Sequence, residues 1–433
     1  MKSNDRTWAA GAPITAGPNA SVIDDKASNG IWLLAVFAIT LGLTFARMPQ
    51  RLTQGFLWAE DVSIFLKGGY EEGFRSIIAP YAGYLHAVPR LIVAAYASLG
   101  SPVHAPLVLA WVCAIVLAGA ATLLFTAVYR HVGRVAALCF ALAQIVVPQD
   151  GEIWLTVTNL QWILGPLLLV LLWREFAAKQ VFPARVFYLD AVLIVLLALT
   201  GPFGLVFSVF VIGAAFIKGR HEWTARTWGL FVAYGLALTA QMACLVHASS
   251  QGGLVNFNPA DFHWISSFLR YFVLDFISPA SLNDKWSVGM RIGVSLIAIA
   301  CCGFALYKTP DNYRFVCVAL LFLAVLFWVL GIARFGRTDL PMRWSMGGSR
   351  YLFVPFVFCF WTLVICLSKA NGVGAKLAAG APLLLICFSS ASGFASGKWP
   401  ATNITSLVTG NAVSYRLLPP PGDSFGTTIR TVR

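Results

Sequence analysis

What this chain has least of is charge. Asp, Glu, Lys and Arg make up 11% of its 433 residues against 58% hydrophobic ones, and the mean hydropathy is +0.76. A soluble core of that size could not enclose so much apolar surface, so the composition excludes an ordinary globular domain and requires lipid as solvent. No CxxC pair occurs and no His spacing resembles a zinc site; the nine cysteines all fall in apolar stretches, as small core residues do. A dense basic block is also missing. The formal charge is +13, but the 31 Lys and Arg are scattered between apolar segments, which points away from nucleic acid and toward lipid headgroups and phosphates. Acids are nearly absent from the apolar runs, with Asp190 the main exception, and that scarcity weighs against an ion-coupled pump.

What the chain does have is a series of apolar runs. They cover 30–47, 104–128, 134–149, 160–177, 187–200, 203–217, 227–247, 289–307, 315–333, 351–368 and 376–393. A crossing needs about 20 residues for a hydrocarbon layer of about 30 Å. These runs predict an all-α, polytopic bundle of about eleven transmembrane helices. Gly201, Pro202 and Gly204 favour a hairpin between two short helices over one long kinked helix. Residues 1–29 are expected as a disordered cytoplasmic tail, 30–393 as the membrane domain, and 394–433 as a short outward tail.

Orientation follows from the short connections. With the N-terminus inside, the inward turns carry Arg130 and Arg134, Arg174 and Arg185, Lys218 and Arg226, Lys308 and Arg314, and Lys369 and Lys376, as the positive-inside rule requires. The long segments 48–103, 248–288 and 334–350 then face outward. Function is expected there, because the inward turns are too short to build a site.

The first outward loop has the most chemistry. Trp58, Val62, Phe65 and Leu66 recur at helical spacing, which predicts an amphipathic helix lying on the membrane. Glu60 would point to its polar side, toward Lys67, and Asp61 to the edge of its apolar face. A carboxylate partly desolvated there suits a general base, although two acids can equally just solvate such a helix. Further on, Tyr81, Tyr84, His86 and Arg90 could bind a sugar or phosphate, or form an aromatic belt. Glu152, Asn159 and Trp162 flank the third and fourth runs and resemble a carbohydrate surface, where rings stack on sugars and carboxylates bind hydroxyls. Arg334, Arg337, Arg343 and Arg350 form a basic patch suited to a lipid phosphate or pyrophosphate.

These features, in this order, resemble the GT-C superfamily of membrane glycosyltransferases. The likeness rests on Glu60-Asp61, on the stretch from Pro80-Tyr81 to Pro89-Arg90, and on Gly348-Ser349-Arg350-Tyr351 at the start of a late helix. It implies a polyprenyl-phosphate sugar donor, a glycan, lipid or protein acceptor, and inversion at the anomeric carbon. Asp61, or less favourably Glu60, would be the base, with the Arg cluster and Tyr351 at the leaving phosphate. A bacterial inner membrane is the implied location. Some members of that superfamily hold a divalent metal, Mg or Mn, on several carboxylates; no D-x-D triplet stands in this loop, so no metal is firmly implied. The rival expectation is a transporter or flippase of a lipid-linked saccharide, which needs a polar path through the bundle.

Overall fold

A computed structural model of the chain describes residues 22–58, 60–149, 151–177, 183–218, 223–250, 263–335, 348–395, 404–409, 412–417 and 425–430. Each of the eleven apolar runs is helical. The helices are α1 (Val22–Arg47), α2 (Ala105–Val132), α3 (Arg134–Val146), α4 (Leu160–Leu172), α5 (Ala184–Ala198), α6 (Phe203–Lys218), α7 (Ala225–Ser250), α8 (Val288–Tyr307), α9 (Asp311–Phe335), α10 (Arg350–Lys369) and α11 (Val373–Ala395). Eight of the described helices are long and apolar enough to cross a membrane, which makes this a multi-pass, membrane-embedded protein. Of these eleven the remaining three, α3, α5 and α6, have 13, 15 and 16 residues, and the first loop holds a further apolar helix, Ala87–Leu99, of 13.

The centre of the bundle is set by hydrophobicity without a polar side. Helix α10 reads RYLFVPFVFCFWTLVICLSK and is apolar all round, the pattern of a helix enclosed by others. It packs against α3, α4, α9 and α11. Aromatic rings fill the gaps: Trp361 stacks on Phe140 with centroids 5.0 Å apart and donates its indole N–H to the Phe140 carbonyl at 3.0 Å. Asp190, the main charge within a predicted span, is buried on α5 and paired with Arg174, which stands just past the end of α4. The ion pair resolves the cost of a lone acid there.

One boundary differs from the sequence expectation. Helix α1 begins at Val22, so the polar stretch 22–29 belongs to a helix and not to a disordered tail; it holds no Pro or Gly to stop helical propagation from the apolar run. The described residues are mostly helical, as the all-α expectation has it, with one addition. The tail contains an antiparallel sheet of β1 (Ile404–Thr409), β2 (Ala412–Leu417) and β3 (Phe425–Arg430), in the order β1-β2-β3. Its strands are short and rich in β-branched residues. Val413 and Ile429, both buried, face each other in its register. Strand β3 packs on the short helical segments Asp61–Leu66 and Lys67–Glu72, so the tail covers the first loop.

Candidate functional site

At the end of the bundle that carries the first loop, irregular backbone is held at depth by buried side chains. Unpaired backbone groups away from water are costly, so such segments need dedicated partners. The connection between α3 and α4 shows them. Arg51, fully buried, donates to the carbonyls of Gly151 at 2.9 Å and Trp154 at 2.6 Å and lies over the Phe56 ring at 3.5 Å. Arg47 lies over the Trp154 ring at 3.6 Å and donates to the Ile145 carbonyl and, at 3.1 Å, to the Ser390 hydroxyl.

Asp61 belongs to the same clamp. Its Oδ1 accepts from the Thr158 N–H at 2.7 Å and the Thr158 hydroxyl at 2.6 Å, while Oδ2 accepts from the Trp58 N–H at 2.8 Å. Only 1% of the residue is exposed. Burial pushes its carboxyl up to about 6, against the opposing pull of the bonds from Thr158 and Trp58. Asn159 also serves the loop, donating from Nδ2 to the Glu152 carbonyl at 2.8 Å.

This clamp delivers Glu152 to the N-terminus of α10. Glu152 Oε1 accepts from Arg350 Nη1 at 2.6 Å, and Oε2 accepts from the Ser349 hydroxyl at 3.1 Å and the Arg350 N–H at 3.3 Å. A carboxylate there is favoured by the helix dipole as well as by the ion pair. Gln149 adds a bond from Nε2 to the Ser349 carbonyl at 2.9 Å. Glu60, Tyr84 and Tyr351 are further electrostatic neighbours of the Arg350 guanidinium.

The tyrosines arrive on a tight turn. Tyr81 and Tyr84 exchange backbone bonds of 2.9 and 3.2 Å, with Ala82 at φ 54° and Gly83 at φ 90° between them. A left-handed Ala costs about 1–2 kcal/mol. The surroundings hold it: the Gly201 N–H donates to the Leu85 carbonyl at 2.8 Å, and the Leu85 N–H donates to Gln241 Oε1 at 2.8 Å. Gln241, fully buried in α7, also donates from Nε2 to the carbonyls of Ala198 at 3.2 Å and Gly201 at 3.1 Å. Arg334 donates to the Ala82 carbonyl at 3.3 Å.

Several predicted residues therefore meet. The Tyr81 hydroxyl donates to Glu60 Oε1 at 3.4 Å, and burial with the Glu60 charge pushes the Tyr81 phenol up to about 12. Tyr84 has Tyr351, Arg350 and Arg334 as electrostatic neighbours, and Trp162 meets Tyr351 edge to face at 5.2 Å. Glu60 faces Tyr81 and Arg350 and makes no ion pair with Lys67 among the described residues; its Oε2 is buried without a hydrogen-bond partner there. Of the two adjacent acids, Asp61 is spent on the clamp and Glu60 looks into the cluster.

Others lie behind it. His86 is fully buried under the turn, 4.7 Å from the Tyr84 ring and 5.3 Å from Phe65 by centroids, and burial pushes its imidazole down to about 3. Arg90 is 4% exposed, below Phe65 and beside Gly68. Arg337 and Arg343 lie outside the described residues. Among the described residues no group of three or more His, Cys, Asp or Glu gathers to hold a metal ion.

The sequence reading missed Thr158 and Gln241. Gln241 did leave a signal, since an amide inside an apolar run is costly unless bonded. Thr158 left none, because only its distance from Asp61 reveals its role.

No family model, curated protein or solved structure matches the chain.

Proposed function

We propose that this protein is a membrane glycosyltransferase that moves a sugar from a polyprenyl-phosphate carrier to an acceptor hydroxyl at the outer face of a bacterial inner membrane. The observation that carries the reading is Glu60 Oε2. It is a carboxylate oxygen without a hydrogen-bond partner among the described residues, in a cluster with Arg350 and the Tyr81–Tyr84 turn. Glu60 removes the acceptor proton as the acceptor oxygen attacks the anomeric carbon. The bond from that carbon to the carrier phosphate breaks, and the phosphate leaves with the electron pair toward Arg350 and Arg334. A single displacement of this kind inverts the anomeric carbon. A positioned base is worth about 10²–10⁴ in rate, and fixed cations stabilise the charge that develops on the leaving oxygen.

Chain parity supports eleven crossings. Segments in direct contact lie on one side of the membrane, so an even number of crossings separates them. The bond from Thr158 to Asp61 spans α2 and α3, which favours α3 as a crossing beside α2. The bond from Gly201 to Leu85 spans α2 through α5, which adds α5. The Glu152–Arg350 ion pair spans α4 through α9, which adds α6. The Phe56 N–H donates to the Pro106 carbonyl at 3.2 Å, which returns the first loop to its own side before α2. On this reading the first loop and β3 share one side of the membrane and the N-terminus lies on the other.

The decisive experiment measures transfer by the purified protein from radiolabelled polyprenyl-phosphate sugars. Glu60→Gln should lower transfer at least about 100-fold while carrier binding persists. Retained glycan export by Glu60→Gln cells, with no transfer by the purified wild type, would instead identify a flippase.

A further inference from the structure

Glu60 stands immediately before the helical segment Asp61–Leu66, and one half-buried side chain touches both it and that segment. The Tyr81 hydroxyl donates to Glu60 Oε1 at 3.4 Å, and the Tyr81 ring meets Phe65, on the same segment, edge to face with centroids 5.9 Å apart. His86 lies 5.7 Å from the same ring. The backbone leaves Tyr81 little freedom. It exchanges two hydrogen bonds with Tyr84 across the left-handed Ala82 and Gly83, and Leu85 just beyond is tied to Gly201 and to Gln241. The ring is therefore a fixed post that carries its one polar atom to a carboxylate oxygen.

An ionised carboxylate can only accept, so the direction of this bond is fixed, with the phenol as donor. Burial and the Glu60 charge push the Tyr81 phenol up to about 12, so it keeps its hydrogen across any pH at which transfer is measured. A donor on one oxygen favours the ionised form of the acid, and it also stops the carboxylate from turning about its last torsion, which is otherwise broad. The two oxygens of Glu60 are thereby unequal: Oε1 is held, and Oε2 has no hydrogen-bond partner among the described residues. The other charges that act on Glu60 are Asp61, next to it in the chain, and Arg350 at the start of α10, with Tyr84, Tyr351 and Arg334 completing the cluster. Resting on the glycosyltransferase reading above, we infer that Tyr81 is a positioning residue: its hydroxyl holds Glu60 by Oε1, keeps the carboxylate ionised and leaves Oε2 as the atom that takes the acceptor proton. Tyr81 acts through Glu60, and the sugar-binding role expected of it from the sequence is not needed.

The test compares purified full-length wild type, Tyr81→Phe, Glu60→Gln and the double variant for transfer from radiolabelled polyprenyl-phosphate sugars between pH 5 and 9, with the detergent melting midpoint of each. Tyr81→Phe removes the hydroxyl and keeps the ring. It should lower transfer about tenfold on the plateau, by releasing the carboxylate, and move the acid limb of kcat/KM up by about one pH unit, because a lost donor makes the base easier to protonate. Ionisations of the substrates are common to both proteins and cancel. In the Glu60→Gln background the same substitution should cost less than about twofold, since there is no carboxylate left to hold. A limb that stays in place, or losses that multiply in the double variant, would overturn the positioning role and leave Tyr81 a packing or sugar-binding residue. Wild type that transfers from no carrier, or Glu60→Gln that transfers as wild type does, overturns the assignment of Glu60 as base along with it.

Discussion

The two ends of this helix bundle treat charge differently. At the end built from short turns, ionic groups are terminated locally. Arg174 pairs with Asp190, and Arg314 pairs with Asp311 one turn away at 2.9 Å while also donating to the carbonyls of Tyr307 and Thr309, each at 2.8 Å. At the loop end, bonds run between distant segments: Asp61 to Thr158, Glu152 to Arg350, Gln241 to Leu85. Buried polar atoms without a partner among the described residues occur here, Glu60 Oε2, Gln161 Oε1 and Trp162 Nε1 among them, as Trp223 Nε1 does at the other end. A polar network that closes on itself serves stability. One that rigidly frames unpaired polar atoms has the form of a preorganised binding site.

The sharpest way to break this comparison is to exchange the roles of two neighbours. Glu60→Gln should cost rate, at least about 100-fold, with little change in thermal stability; Asp61→Asn should do the reverse, because its amide would face a donor and orphan bonds worth about 1–3 kcal/mol each. Paired measurements of transfer and of the detergent melting midpoint decide it, and equal rate losses would merge the two roles. Next comes Glu152→Gln, which leaves the Arg350 charge in a partly desolvated place. A loss of about 3 kcal/mol is expected, recovered in part by adding Arg350→Gln, and a double-variant cycle reads the coupling. Gln241→Leu should cost about 2–3 kcal/mol by freeing the backbone of Leu85, Ala198 and Gly201, and protease cleavage near residues 81–85 should rise with it.

The smallest effect is on pH dependence. The His86 imidazole is held down to about 3 by burial, below its ordinary 6.5. Below pH 6.5 the unfolded chain therefore binds a proton that the folded one does not, and stability is lost as pH falls through that window by about 1.4 kcal/mol per unit. Asp61, held up at about 6, pulls the opposite way between that value and 3.8. Comparing His86→Phe with wild type cancels the Asp61 contribution. The difference in melting midpoint should grow as pH drops from 6.5 to 5; a difference that stays flat would mean that His86 is reached by water.

Much of the fold was legible in the residues because lipid imposes a simple rule. A run of apolar residues must be helical to satisfy its own backbone, and all eleven runs are. The β-sheet was not legible, since 404–430 is a short polar tail by composition and its strands were hidden by mixed, weakly alternating sequence. Of the site, the residue types and their loop were readable. Which of Glu60 and Asp61 faces the cluster was not, because the choice depends on the bonds that tie Asp61 to Trp58 and to Thr158, almost a hundred positions away.

By itself, then, the amino-acid order determined the helices, their approximate number and the segments rich in polar groups, because apolar periodicity and length are local properties. Only the tertiary structure decided the partners: Glu152 with Arg350, Asp61 with Thr158, Glu60 with Tyr81. A side chain's chemistry in a membrane protein depends on which groups desolvate and bond it, and those come from helices far apart in the chain.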